Sequence, residues 1–127
     1  MQQILYVALG GAIGASLRFW IASLGNAQSF GFIPVGTLSV NLIGSFLIGL
    51  FFGIFSMQTD VSLRLQLFLI TGLLGGFTTF SAFSLENWQL IEEGHYKAFI
   101  IYFLASNLGG IALAYTGFRF SGSTVTI

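Results

Sequence analysis

Apolar residues dominate four long segments of this chain, and short polar connections separate them. The apolar segments span residues 4–24, 33–57, 65–90 and 98–118. Each approaches the roughly 20 residues that an α-helix needs to cross the hydrocarbon core of a bilayer. The connections are 25–31, 58–62 and 92–97, which leaves no room for a domain outside the membrane. The pattern predicts an all-α integral membrane protein whose four transmembrane helices form a single domain over 1–127.

The composition is also that of a membrane protein. Of the 127 residues, 55% are hydrophobic and 6% are charged, whereas soluble proteins carry roughly 25% charged residues. No basic region precedes the first apolar segment and no small-residue cleavage site follows it, so we expect that segment to remain as a span. The absence of cysteine excludes disulfides and thiolate metal sites. We therefore expect a multi-pass protein of the plasma membrane or inner membrane of a cell.

The third apolar segment contains a glycine pair, Gly75-Gly76, followed by a run of hydroxyl side chains. Each glycine disfavours a helix interior by about 1 kcal/mol relative to alanine, so the pair predicts a broken helix near residues 75–79. At bilayer depth, freed backbone groups are tolerated only where protein buries them or where they line a water-filled cavity or an ion path. The break therefore predicts a functional site inside the membrane.

The basic residues give no preferred orientation in the membrane. Four spans put both chain termini on one side, together with Arg64 and Arg119, while Arg18 and Lys97 lie on the other side. Because orientation follows the Lys/Arg excess, a balance of two against two lets the chain insert both ways. We expect an antiparallel homodimer, the two copies forming an inverted repeat of the kind that many transporters carry within one chain. The alternative is that four charges are too few to count and that a chaperone or partner sets the topology.

Each span contains two small residues one helical turn apart, which lets helix backbones approach closely in lipid. The pairs are Gly10 and Gly14, Gly49 and Gly53, Gly72 and Gly76, and Ser106 and Gly110. With 17 glycines in the chain such pairs also arise by chance. They support tight packing and assembly without identifying an interface.

Several polar side chains lie within the apolar segments. Asn41, Tyr102 and Ser106 are either interhelical hydrogen-bonding groups or the lining of a pore. Arg18 either reaches the interface or forms a cationic mouth that concentrates anions. Glu86 is an embedded carboxylate, which is either functional or located at the interface.

Two phenylalanines follow the break at a spacing of three residues. On a helix that restarts there, Phe80 and Phe83 share a face, with Thr79 and Glu86 near the same stripe. The positive edges of aromatic rings attract a small anion weakly. The alternative is that these rings, among 15 phenylalanines, pack helices or face lipid. The carbonyls freed at the break suit a hard cation of the sodium type.

The third span resembles the signature of the fluoride-specific ion channel family, Fluc or CrcB, in the pattern Gly72-x-x-Gly75-Gly76-x-Thr78-Thr79-Phe80-Ser81-x-Phe83-Ser84-x-Glu86. The other spans match the family in Gly10-Gly11-x-x-Gly14-x-x-x-Arg18, Gly36-Thr37-Leu38-x-x-Asn41-x-x-Gly44 and Tyr102-x-x-x-Ser106. This resemblance implies a dual-topology antiparallel homodimer with two pores, through which fluoride leaves the cell passively. It also implies a structural sodium ion at the dimer centre, bound by the backbone carbonyls of Gly75 and Thr78 from each copy.

The resemblance further implies the residues of the fluoride path. The candidate pore residues are Phe80, Phe83, Asn41, Ser106, Tyr102, Thr79, Ser81, Ser84, Arg18 and Glu86. Among these, the two phenylalanines supply ring edges and Arg18 lies near the entrance. Ala82 and Gly110 stand where the family has hydroxyl side chains, which implies a path with fewer donors.

Three other classes of protein compete with this interpretation. A small dual-topology proton-coupled multidrug antiporter needs an embedded carboxylate in its first span, and this chain has none there. A non-transporting assembly subunit would account for the packing motifs alone. We expect no enzyme, because the sequence contains no nucleophile–base pair and no metal cluster. Finally, the polar tail 121–127 is expected either to fray or to be partly foreign to the native chain.

Overall fold

The computed structural model describes residues 1–28 and 30–124, in which four helical spans are long and apolar enough to cross a membrane. The spans are Gln2–Ala27, Val35–Ser56, Leu63–Glu92 and Tyr96–Phe120. The third span is interrupted and the other three are continuous α-helices. These features confirm the expected all-α membrane fold with a broken third helix.

The third span consists of two halves separated by two residues of extended backbone. Its first half is α-helical over Leu63–Gln66, π-helical over Leu67–Leu74 and α-helical over Gly75–Phe77. The extended residues are Thr78 and Thr79, and the second half is the α-helix Phe80–Glu92. π-helical turns occur often at functional sites. The π-helix directly before the break therefore also indicates a functional site in this region.

The glycine pair lies beside the break and remains helical. Gly75 and Gly76 form the last helical turn before Thr78 leaves the helix. A Cβ at Gly76 would lie 2.6 Å from the carbonyl oxygen of Gly11, so glycine is required there for contact with the first span. A Cβ at Gly75 would approach only the Ile70 carbonyl oxygen, at 3.9 Å. Gly76 therefore serves packing against the first span, and the interruption needs another cause.

The four spans pack as two close pairs. The first span lies against the first half of the third span, and the second span lies against the fourth. At Gly14 a Cβ would overlap the backbone of Leu73, and at Gly49 it would overlap the backbone of Ala114. Small residues thus bring the backbones of each pair into contact, as the spacing of the glycines predicts.

The residues after the fourth span are bound to the second span. Ser123 is buried, and its hydroxyl donates to the carbonyl of Gly53 at 2.7 Å. The expectation of a frayed tail is therefore wrong for 121–124, because a turn with positive φ at Gly122 directs Ser123 back onto the bundle. Residues 125–127 of the expected tail lie outside the described residues.

Candidate functional site

An open groove of about 330 Å³ lies beside the interruption of the third span. We call it the break groove; the candidate residues that line it are Asn41, Gly75, Thr78, Thr79, Phe80, Phe83 and Ser106. These residues come from the second, third and fourth spans. The fold therefore brings most of the residues that the sequence singles out into one site within the apolar part of the molecule.

The two phenylalanines of the break groove have different surroundings. Their ring centroids are 5.9 Å apart, with the ring planes at 43°. Phe83 is only 7% exposed and meets the ring of Tyr102 edge-on, with centroids 5.3 Å apart. Phe80 is 79% exposed. One ring is therefore fixed by packing, and the other extends from the surface of the single chain.

Asn41 supplies the hydrogen bonds that the interrupted helix lacks. Its Oδ1 accepts from the backbone N–H of Thr79 at 2.8 Å, and its Nδ2 donates to the Thr79 carbonyl at 3.0 Å. The Thr79 hydroxyl in turn accepts from the N–H of Ala82 at 3.2 Å and caps the second half of the span. Asn41 thus makes an interhelical hydrogen bond, one of the two roles that the sequence leaves open for it, and the partner is the backbone of the break.

Arg18 also contacts the break. Its Nε donates to the carbonyl oxygen of Gly76 at 3.0 Å, and the side chain is half-buried. The guanidinium therefore reaches inward from the first span and satisfies one of the carbonyls freed at the end of the first half. Its remaining N–H groups are donors beside the site.

Two further carbonyls at the break accept no hydrogen bond from the described residues, those of Gly75 and Thr78. In a continuous helix, the N–H of Thr79 would bond to Gly75, but it donates to Asn41 instead. The N–H of Ala82 would bond to Thr78, but it donates to the Thr79 hydroxyl. Free carbonyl oxygens are ligands for hard cations, so these two groups are the ones at the break that could hold such an ion.

Glu86 is held at both carboxylate oxygens by hydroxyl donors. Thr37 Oγ1 donates to Oε1 and the Tyr102 hydroxyl donates to Oε2, each at 2.7 Å. Thr37 is 2% exposed and Tyr102 is 0% exposed. Asn26 extends this network through Nδ2, which lies 3.3 Å from Thr37 Oγ1. The sequence does not single out Asn26, because it is one polar residue in the connection 25–31 that follows the first apolar segment.

A second groove, of about 310 Å³, also reaches the break. We call it the polar vestibule; its polar lining comprises Arg18, Asn26, Thr37, Thr79 and Glu86, together with Ser23. Thr79 lines both the polar vestibule and the break groove. The interruption of the third span therefore lies where a polar surface with one arginine meets a surface of aromatic rings.

The remaining candidate hydroxyls are spread around these grooves. Ser106 Oγ is buried in the wall of the break groove and has no hydrogen-bond partner among the described residues. Ser84 lines an apolar groove of about 460 Å³, to which Phe80 and Phe83 also contribute. Ser81 is exposed, with its hydroxyl 3.4 Å from that of Thr79. Among the described residues, only Ser106 thus offers an unpaired buried hydroxyl to the break groove.

The fold and the site define a small multi-pass membrane protein with a polar site at a helix break inside the bilayer. A family model described as "CrcB-like protein, Camphor Resistance (CrcB)" matches residues 5–118. The chain belongs to this family. The resemblance drawn from the third-span signature is confirmed, and so is a multi-pass location in the cell membrane.

Three curated relatives of this chain share the name fluoride-specific ion channel FluC. The relative from Allorhizobium ampelinum is 47% identical over 119 residues, which cover 92% of this chain and 94% of the relative. The relative from Aquifex aeolicus is 44% identical, with 93% and 95% covered. The relative from Parabacteroides distasonis is 39% identical over 127 residues, with 100% and 98% covered. These relatives are named as ion channels, which confirms the prediction that the protein is not an enzyme.

Proposed function

We propose that this protein is a passive fluoride-selective channel that exports fluoride across the cell membrane and so protects the cell from it. The relatives named as fluoride channels support this function across nearly the whole chain. The observation that carries the proposal is the pair Phe80 and Phe83, whose rings lie 5.9 Å apart in the break groove. Ring edges attract a small anion and add no competing charge.

Donors near the rings can replace the water that fluoride must lose. The buried hydroxyl of Ser106 has no protein partner among the described residues, so its proton is available to a dehydrated anion. Asn41 and Thr79 line the same groove, and Tyr102 packs directly behind Phe83. We assign these side chains to the fluoride path. Ser81 and Ser84 contribute at its outer edge.

The polar vestibule supplies the entrance to this path. Its cation, Arg18, raises the local concentration of anions. Its carboxylate, Glu86, would repel them, but both of its oxygens accept from hydroxyl groups. A satisfied carboxylate presents less bare charge to a passing anion than a free one. The paired donors thus account for an acidic residue beside an anion path.

The working unit in this proposal is an antiparallel homodimer. In a single chain the break groove is open, Phe80 is 79% exposed and Gly75 lies at the surface. A second, oppositely oriented copy would cover these groups and enclose the path. The carbonyls of Gly75 and Thr78 from both copies would then provide four oxygen ligands for a structural sodium ion. The even distribution of basic residues between the two sides supports the same arrangement.

The rival function, a proton-coupled multidrug antiporter, receives no support from the site. Such a transporter needs a carboxylate that binds protons and substrate in turn. Both oxygens of Glu86 are engaged with Thr37 and Tyr102. The relatives described above are named as ion channels.

Ion efflux from liposomes tests the proposed function directly. The purified protein is reconstituted in liposomes loaded with potassium fluoride or potassium chloride, and a potassium ionophore is added to release the counter-ion. Selective electrodes should record rapid efflux of fluoride and retention of chloride, with protein-free liposomes as the control. Equal efflux of both anions, or efflux of neither, would refute the proposal.

A further inference from the structure

We propose that Asn26 is a positioning residue of the ion path, acting on Glu86 through the hydroxyl of Thr37. The inference rests on the proposed function, since it concerns the carboxylate of the polar vestibule. Asn26 lies in the last turn of the first span, whereas Thr37 lies in the first turn of the second. The two helix ends therefore meet at the vestibule.

The carboxamide of Asn26 caps the second span from outside that helix. Its Oδ1 accepts from the backbone N–H groups of Gly36 at 2.8 Å and Thr37 at 3.2 Å. Pro34, at the cap position, makes no side-chain cap bond, so these amides depend on Asn26. Backbone N–H groups can only donate, which fixes the oxygen of Asn26 toward the helix and its nitrogen toward the Thr37 hydroxyl.

This orientation sets the direction of the next hydrogen bond. An amide nitrogen only donates, so Thr37 Oγ1 accepts from Asn26 Nδ2, 3.3 Å away. The hydroxyl has a single proton, which is then given to Glu86 Oε1 at 2.7 Å. The chain of bonds runs in one direction from Asn26 to the carboxylate. Tyr102 satisfies the other oxygen independently.

The direction matters because Glu86 and Arg18 line the same vestibule. If the Thr37 proton pointed elsewhere, Glu86 Oε1 would lose its donor. The carboxylate would then face the vestibule bare or turn toward the guanidinium, and either change would lower the occupancy of the vestibule by an anion. Asn26 thus keeps an acidic side chain compatible with anion passage while its own side chain remains at the vestibule rim.

The substitution Asn26→Asp separates the two roles of this side chain. Aspartate retains acceptor oxygens for the amides of Gly36 and Thr37 but lacks the Nδ2 donor. We expect fluoride efflux to fall about tenfold, the effect of one lost hydrogen bond on a rate-limiting barrier. Gln28→Glu is the matched control, because it adds the same charge two residues away, at an exposed position. Its efflux should stay within about twofold of the parent rate.

The decisive comparison uses Glu86→Gln as a second background. If Asn26 acts through the carboxylate, Asn26→Asp should cost less than about twofold when Glu86 is already glutamine. Parental efflux in Asn26→Asp would overturn the inference. A full tenfold loss that persists in the Glu86→Gln background would also overturn it, because the effect would then come from the helix cap or from vestibule charge.

Thr37 provides an independent pair of variants if a background fails to fold or to conduct. Thr37→Ser retains the hydroxyl and should conduct at close to the parent rate, whereas Thr37→Val should lose about tenfold. Equal rates for the two variants would refute the inference. The parent protein is measured first in each series. Absence of fluoride efflux from the parent would refute the proposed function. If the parent conducts and the losses caused by Asn26→Asp and Glu86→Gln are additive, only the role of Asn26 is refuted.

Discussion

Phe80 and Phe83 are neighbouring rings with unequal constraints. Phe83 is enclosed by Tyr102 and by Phe103, whose ring centroid is 6.1 Å away, while Phe80 is 79% exposed. In the proposed dimer, each path would combine a ring fixed by its own chain with surface from the other copy. The two positions should therefore both matter for conduction, although only one is part of the packed interior.

Isoleucine at either position tests the ring edges. Phe80→Ile and Phe83→Ile keep an apolar side chain but remove the electropositive ring edge, so each should slow fluoride efflux by about fivefold or more. Phe51→Ile is the control, since Phe51 stacks on Phe55 in the second span, outside the break groove. Size-exclusion chromatography should show an unchanged oligomer for all three variants. Parental rates in both groove variants would show that fluoride does not follow the rings.

At the scale of the helix, the interruption of the third span depends on the second. The backbone N–H and carbonyl of Thr79 are both hydrogen-bonded to the side chain of Asn41, while Thr78 remains extended. At membrane depth no water replaces such bonds, so the break is stable only because another helix supplies the partners. The carbonyls of the proposed sodium site are free because the N–H groups that would bond to them in a continuous helix bond to side chains instead.

Asn41→Ala should therefore destabilise the fold. The change leaves the N–H and the carbonyl of Thr79 without partners, at a cost of about 3 kcal/mol. Thermal unfolding in detergent measures the loss. Asn107→Ala is the matched control, because Asn107 donates within its own helix to Phe103 at 2.7 Å. Equal stability of the two variants would mean that Asn41 does not hold the break.

Local sequence properties predict the spans and the break, but not the contacts that hold the site. Apolar length and paired glycines act over neighbouring residues and are visible in one sequence. Asn41 is 38 residues from Thr79, and Arg18 is 58 residues from Gly76. Such pairings depend on how the helices pack. The glycine pair shows the same limit, since it predicts the position of the break while Gly76 serves contact with the first span.

At the scale of the whole molecule, the balance of basic residues should govern activity through orientation. Adding Gln58→Arg and Thr59→Arg places two cations on the side of the termini, so this variant should insert in one orientation. The opposite pair, Gln28→Arg and Phe30→Arg, should insert the other way. If the channel is an antiparallel dimer, each variant alone should lose at least about tenfold in fluoride efflux, and expressing both together should restore it.

Orientation itself is measurable because the chain contains no cysteine. A single cysteine at the exposed position Thr124 reports the side of the C-terminus through an impermeant thiol reagent applied to intact cells. About half of the parent should react, against nearly all or nearly none of each arginine variant. Gln58→Ser with Thr59→Ser is the uncharged control and should match the parent. The antiparallel arrangement would be ruled out if the parent were labelled from one side only, or if one arginine variant alone were fully active. The break groove would then have to be closed by copies of a single orientation.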